Sequence, residues 1–348
     1  MTLSARTPAP FRLQILCPVR KKLACPEKGK PETRQAPPPR RIEWCRGGET
    51  VTKRKLLALL LAAVMALLLW RSAVAAEAVR RGLALCARSV IPALFPYFVV
   101  SGLFISLGLA DGVGRRLEPL TRRLFGVGGA GASAFFLGLL GGYPVGGRTV
   151  GQLYRAGQLS RDEAEGLLAF CNNAGPSFIL GIVGLGCFGS LRAGVFLYFI
   201  HAFSAVLVGI LFKKKAPVTG QKVRYSAVFE PVPAFIRAVQ EAAEGMLRLC
   251  GFVVFSFVIL SLITDLTGLS HPAILGFVEL TSGVTALKGT REDLVWAAAL
   301  LGWGGLSVHG QTAAVLSGTD LRLGRYFAGK ILQAIVSAVV AWGVSLGL

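Results

Sequence analysis

Phe170-Cys171-Asn172-Asn173-Ala174-Gly175-Pro176-Ser177-Phe178 lies inside Gly166–Leu191, a stretch that contains no Asp, Glu, Lys or Arg. That stretch exceeds the roughly 18–20 apolar residues needed to cross the hydrocarbon core of a bilayer. Pro176 has no N–H, so the carbonyl four residues back, on Asn172, loses its helical partner. Two amides and a freed carbonyl in hydrocarbon need partners, because each polar group left unsatisfied there costs about several kcal/mol. The expectation is an interrupted transmembrane helix that presents Asn172, Asn173 and Ser177 to a solute or an ion. Polar groups inside a membrane are functional candidates by default. The structural alternative is an amide pair that binds neighbouring helices beside a proline kink.

The surrounding sequence has the same character. Val90–Ala110, Phe125–Gly147, Ala193–Phe212 and Leu294–Thr319 are also free of charged residues, and Leu249–Thr264 and Ile331–Leu348 are shorter candidate spans. Of the 348 residues, 53% are hydrophobic and only 16% charged, against about 25% charged in a soluble domain. The net charge of +20 would suggest nucleic acid. However, the basic residues crowd into the first 55 positions and into short loops beside apolar spans, where they fix topology. No basic groove with interleaved aromatics accompanies them, so nucleic acid is rejected as a partner. The seven cysteines form no CxxC and no zinc spacing, so no metal or other cofactor is expected. The lipid bilayer and a small-molecule solute are the expected partners.

Residues 1–50, with Pro37-Pro38-Pro39 and no apolar period, read as a disordered basic tail. Arg46-Gly47-Gly48-Glu49 can be encoded by purine-rich codons like those of a bacterial ribosome-binding site, and Val51 follows. The working hypothesis is that translation starts at Val51. An intact mass that included residues 1–50 would refute it. Residues 51–75 read as an N-terminal transmembrane anchor, with Lys53-Arg54-Lys55 holding the N-terminus in the cytoplasm.

The charges then order the rest. Residues 76–89 read as an amphipathic surface segment and Val90–Ala110 as a span returning inside. Phe125–Gly147 has basic residues on both flanks, which suits a re-entrant hairpin better than a crossing. A shift of 163 positions lays Gly141-Gly142-Tyr143-Pro144-Val145-Gly146-Gly147-Arg148-Thr149 over Gly304-Gly305-Leu306-Ser307-Val308-His309-Gly310-Gln311-Thr312, with five of nine positions identical. Three crossings (166–191, 193–212 and 249–264) separate the two hairpins, an odd number, so the halves would be inverted as in secondary transporters. The expected fold is all-α and integral to the membrane: a polytopic helical bundle of two inverted repeats with re-entrant hairpins and interrupted helices. The first repeat and its following span occupy 76–215, a cytoplasmic connector 216–233 and the second repeat 234–348. Both termini are expected in the cytoplasm.

The hairpin tips are the second candidate site. Gly142 and Tyr143 lie where Pro144 and the glycines forbid a regular helix. Arg148 and Thr149 follow the first tip, and His309, Gln311 and Thr312 follow the second. Arg148 offers a bidentate fork to a carboxylate; as a cytoplasmic topology charge it would need no ligand. His309 is a candidate proton carrier, against the blander reading of a satisfied hydrogen-bonding residue. Glu279, in Glu279-Leu280-Thr281-Ser282-Gly283, is an ion or proton ligand or else a residue of the outer interface. No HExxH, GxSxG or P-loop occurs, and Ser307 and His309 are spaced to point apart on a helix. Catalysis is not expected.

Gly141-Gly142-Tyr143-Pro144-Val145-Gly146, Glu163-Ala164-Glu165, and Phe170-Cys171-Asn172-Asn173 with Gly175-Pro176 resemble the sporulation integral membrane protein family of the YlbJ type. Members of that family contain the nucleoside-recognition, or Gate, domain. The resemblance runs over about residues 55–348 and is most specific between Gly138 and Gly186. Ala174 stands where the family more often has serine, and the N-terminal tail is foreign to it. The resemblance implies a membrane of an endospore-forming bacterium, the mother-cell-derived forespore membrane, and similarity to concentrative nucleoside transporters. It further implies passage of dipicolinic acid, with other sporulation membrane proteins as partners. The resulting expectation is an alternating-access transporter for a small polar or anionic solute, dipicolinate first and nucleosides second. A non-transporting scaffold for spore envelope assembly is the rival. A homo-oligomer is compatible with either.

Overall fold

The computed structural model describes residues 48–213 and 230–347. The expected tail (1–50) and connector (216–233) lie outside the described residues, except for the few positions that open helices at their ends. The chain divides into Met1–Leu57 and Ala58–Leu348. Within the first unit, the described residues from Gly48 onward are helical.

Helix α1 (Gly48–Trp70) continues into the second unit, where Leu59, Leu60, Met65 and Leu69 are all more than half exposed. Apolar side chains exposed along such a length require lipid rather than water. At Arg71 the chain turns through 91° into α2 (Ser72–Leu85), which passes through a wide π turn (Cys86–Val90) into α3 (Ile91–Ser106). The amphipathic α4 (Leu109–Phe125) carries Arg115, Arg116, Arg122 and Arg123 and bends by 93° into α5 (Gly129–Gly141). The chain then reverses at Gly142-Tyr143-Pro144 and returns as α6 (Val145–Arg155).

Ser160 caps α7 (Arg161–Cys171), with Glu163 completing a capping box. The break at 172–176 follows, and beyond it a π-wound segment, Ser177–Cys187. The interrupted helix thus lies where Pro176 requires it. Helix α8 (Leu191–Leu211) follows, capped by Ser190. A second capping box, Thr290 with Asp293, starts α12 (Arg291–Trp303). That helix stops at Gly304, whose φ of +90° suits only glycine, and resumes as α13 (Gly305–Val315). The short α10 (Pro272–Val278) and α11 (Leu280–Thr285) precede α12, and the chain closes with α14 (Gly324–Gly347).

One expectation needs correction. Residues 249–264, read from sequence as a separate candidate span, are the second half of one helix, α9 (Pro231–Thr267), which runs unbroken through 234–249. Proline occurs only in its first turn, Gly245 and Gly251 sit inside it without a break, and Gly268 ends it at φ +70°. The chain contains no residue that would force a break near Leu249.

By length and composition α8, α9 and α14 can each cross a membrane, or up to five spans exist if each bent pair counts as one. No strand occurs among the described residues. The fold is therefore all-α, with several membrane-spanning helices. Helix α9 lies along α2 and α3, and α14 packs on α12, α7 and α8. Phe125, Phe135 and Phe170 form a three-ring cluster with centroids 4.8–5.4 Å apart, joining α4, α5 and α7 beside the break. Such pairs add about 0.5–1.5 kcal/mol each beyond their burial. At the polar end, Glu165 accepts from Arg161 at 2.9 Å and from the Arg322 amide at 3.0 Å. Tyr154 donates to Asp320 at 2.6 Å, which holds that carboxyl below the usual carboxylate range. These bonds fix the α6–α7 turn to the loop that precedes α14.

Candidate solute site

Helices α5 and α6 reach the break through two glycines. A Cβ built on Gly138 would stand 1.7 Å from the Cys171 carbonyl oxygen, and one on Gly146 would stand 2.0 Å from it. Both arms of the hairpin therefore rest on the last carbonyl of α7. This seats the hairpin tip against the break, with Gly142 packed directly on Gly175.

Asn172 and Asn173 are fully buried there and bond in opposite directions. The side-chain oxygen of Asn172 accepts from the Gly147 amide at 3.2 Å, and its nitrogen donates to Thr312 at 2.8 Å. One side chain thus links the first hairpin, the interrupted helix and α13. The Thr312 hydroxyl donates to the Val308 carbonyl at 2.8 Å and lies 3.2 Å from the Tyr326 hydroxyl, which lies 2.8 Å from His309 Nδ1. With the Thr312 proton committed to Val308, Tyr326 donates to Thr312 and His309 Nδ1 donates to Tyr326. His309 Nε2 is then a buried acceptor, and it has no partner.

Asn173 donates to the Phe170 carbonyl at 2.8 Å and accepts from Gln333 at 2.9 Å. Lys330 Nζ donates to the Gln333 side-chain oxygen at 2.8 Å. The Ala174 amide donates to His201 Nε2 at 3.1 Å, which places the ring proton on Nδ1, where no partner meets it. Helix α14 comes this close to α7 at Gly329, where a Cβ would stand 2.1 Å from the Ala169 carbonyl oxygen. The outcome is a buried network of two hydrogen-bonded sets that meet at the adjacent residues Asn172 and Asn173 and draw on α7, α8, α13, α14 and the first hairpin.

Two spaces adjoin it. A cleft of about 370 Å³ lies between the first hairpin, α9 and α13, and is lined by Arg148, Thr149, Gln152, Glu241, Arg248 and Gln311 among others. A small inner cavity of about 40 Å³ is lined by Gly142, Tyr143, Gly175, Glu279 and Gln311. Gln311 borders both, is buried, and has a side-chain oxygen without a partner. Ser307, four residues earlier on the same helix face, also has an unpartnered hydroxyl.

The sporulation integral membrane protein YlbJ of Bacillus subtilis (strain 168) is 30% identical to this chain over 308 residues, covering 76% of each protein. The chain belongs to the YlbJ family. It matches no family model, and no solved structure matches it.

In this YlbJ-family chain most of the sequence-derived candidates gather in two groups around the break, and Arg148, Thr149 and Ser177 lie outside them. Asn172, Asn173, Thr312 and His309 belong to the buried network, and Gly142, Tyr143 and Gln311 border the inner cavity. Arg148 lines the outer cleft, where Glu241 of α9 pairs with its guanidinium. Thr149 turns its hydroxyl back to the Val145 carbonyl at 2.9 Å. Ser177 begins the π-wound segment, half-buried, and no hydrogen bond joins it to the network among the described residues. Glu279 is buried and caps α11, accepting from the Thr281 amide at 3.0 Å, the Ser282 amide at 2.6 Å and the Ser282 hydroxyl at 2.7 Å. Glu279→Ala is expected to cost about 0.5–2 kcal/mol, the usual range for a lost N-cap, and to lower the thermal midpoint in detergent. Glu279→Gln, which keeps one acceptor oxygen, is expected to lose less.

Sequence reasoning missed Lys330, Gln333 and Tyr326, all fully buried on α14. The span was drawn from Ile331 because Lys330 is charged. Extending it back to Gly324 would have placed a cation inside the membrane, which is itself the signal. Among the described residues no three His, Cys, Asp or Glu side chains gather in a way that would hold a metal ion.

Proposed function

We propose that this membrane protein of sporulation carries a small polar or anionic solute across the bilayer by alternating access. The junction at Asn172 and Asn173 is its binding centre. The observation that carries this reading is the buried network itself. A hairpin tip and an interrupted helix meet inside the bundle, beside a cleft, with four polar groups (His201, Ser307, His309 and Gln311) left without full partners. Polar groups in a membrane interior usually mark a solute pathway.

Dipicolinate, a planar dicarboxylate, is the first substrate. Arg148, Arg155 and Arg248 line the cleft against two carboxylates, Glu241 and Glu244, which favours an anion on approach. A nucleoside is the second reading, because four amides (Asn172, Asn173, Gln311 and Gln333) and the Tyr143 ring suit a nucleobase. His309, joined to the Asn172 centre through Tyr326 and Thr312, is the proposed coupling site.

The inverted arrangement of two repeats belongs to the same proposal. The 163-position shift carries α5 onto 292–304, over α12 (Arg291–Trp303), and the Gly142 break onto Gly305. The cleft faces the cytoplasm by its arginines, both termini lie on that side, and the membrane is that of the forespore. The reading also takes the chain to be no enzyme; other sporulation membrane proteins are its partners.

Uptake into proteoliposomes tests it, with dipicolinate and a nucleoside offered in parallel, with and without a proton gradient. Gradient-stimulated accumulation of dipicolinate is expected. No uptake of either solute under any gradient would favour the scaffold.

A further inference from the structure

We infer that Lys330 is the residue that meets the negative charge of the solute, and that the Tyr143 ring is the movable partition between it and the inner cavity. The inference rests on the transport reading and names, within it, the residue that reads the carboxylate charge of the solute.

Lys330 lies in a membrane-spanning helix and is fully buried, so its ammonium does not reach an interface. A lysine at that depth is costly and calls for a counter-charge. Among the described residues no carboxylate pairs with it. The two buried carboxylates are committed elsewhere: Glu165 to Arg161 and the Arg322 amide, Glu279 to the first turn of α11. Its nitrogen has three donors and, among the described residues, makes one hydrogen bond, to Gln333. Gln333 in turn spends its own nitrogen on Asn173, so the lysine is wired to the proposed binding centre.

The nitrogen is otherwise faced by the Tyr143 ring, whose centroid is 5.2 Å away. A cation held by an aromatic face is stabilised weakly compared with one held by a carboxylate. Tyr143 belongs to the hairpin tip and lines the inner cavity beside Gly142 and Gln311. Its hydroxyl is anchored by one bond, to the Leu301 carbonyl at 2.9 Å. Movement of the tip that carries the ring aside joins Lys330 to the cavity, and an entering carboxylate replaces the ring as the partner of the cation. A neutral solute offers no such exchange. The arrangement therefore selects charge where the amides alone would select shape.

The test uses the full chain in detergent, with the rise in thermal midpoint against ligand concentration as the readout. The probes are pyridine-2,6-dicarboxylate and its neutral diamide, which share a shape and differ in charge. Wild type is expected to bind the dicarboxylate about ten- to a hundredfold more tightly than the diamide, the range for hydrogen bonds to charged groups. Lys330→Gln is expected to remove that preference while diamide binding remains, and Lys330→Arg to retain it. Lys330→Met, which keeps the volume without the charge, serves if the glutamine variant fails to fold. A preference unchanged in either neutral variant, or absent in wild type, overturns the assignment while leaving transport standing. If wild type binds neither probe and takes up no solute into vesicles, the transport reading itself fails, and this inference with it.

Discussion

Alanine at both Asn172 and Asn173 is expected to reduce solute uptake at least about a hundredfold while the protein still reaches the membrane. The two amides hold four polar groups directly: the Gly147 amide, Thr312, the Phe170 carbonyl and Gln333, which in turn binds Lys330 and the His201 carbonyl. Each buried group left without its partner costs about 1–3 kcal/mol, and two such losses at the centre reach a hundredfold. The check is initial uptake rate per folded protein, with folded protein counted by gel filtration in detergent. A double variant that transports like wild type would show that the amides only pack helices together.

The largest structural effect is expected from Gly138→Ala. The added methyl would stand 1.7 Å from the Cys171 carbonyl oxygen and 2.9 Å from its carbon. No side chain can swing away, because the obstacle is backbone. Either α5 leaves α7 and the hairpin tip leaves the break, or the chain does not fold. A loss above about 4 kcal/mol belongs to this class of clash, and no folded protein is expected after gel filtration. Gly166→Ala supplies the contrast. It lies within α7 with open space around the position of a Cβ, so it is expected to be neutral or to stabilise by about 0.5–1 kcal/mol.

The same residues show how far the sequence could be read. The break at 172–176 was legible because Pro176, Gly175 and two amides interrupt a charge-free run, a local signal with a local cause. The hairpin tip at Gly142-Tyr143-Pro144 was legible for the same reason. The π winding of Ser177–Cys187 was not, since no residue type enforces it and the packing on α8 accompanies it. The continuity of α9 was missed because hydropathy changes near Leu249 while helix propensity does not. The partners of each polar group lay furthest out of reach. Asn172 meets Thr312 at a sequence separation of 140 and Asn173 meets Gln333 at 160, and only tertiary packing brings such pairs together. Arg148 reads as a free anion-binding fork until α9 places Glu241 against it.

The most direct test of a solute pathway through this junction is the accessibility of Gln311→Cys in membrane vesicles. A membrane-impermeant maleimide is applied to one face at a time, with and without dipicolinate, and the wild-type chain runs alongside as the blank. Gln311 borders both the cleft and the inner cavity. A pathway that alternates predicts labelling through the cleft, slowed by the solute as it occupies the cavity. A labelling rate that no solute changes, from either face, would contradict a binding site at the junction.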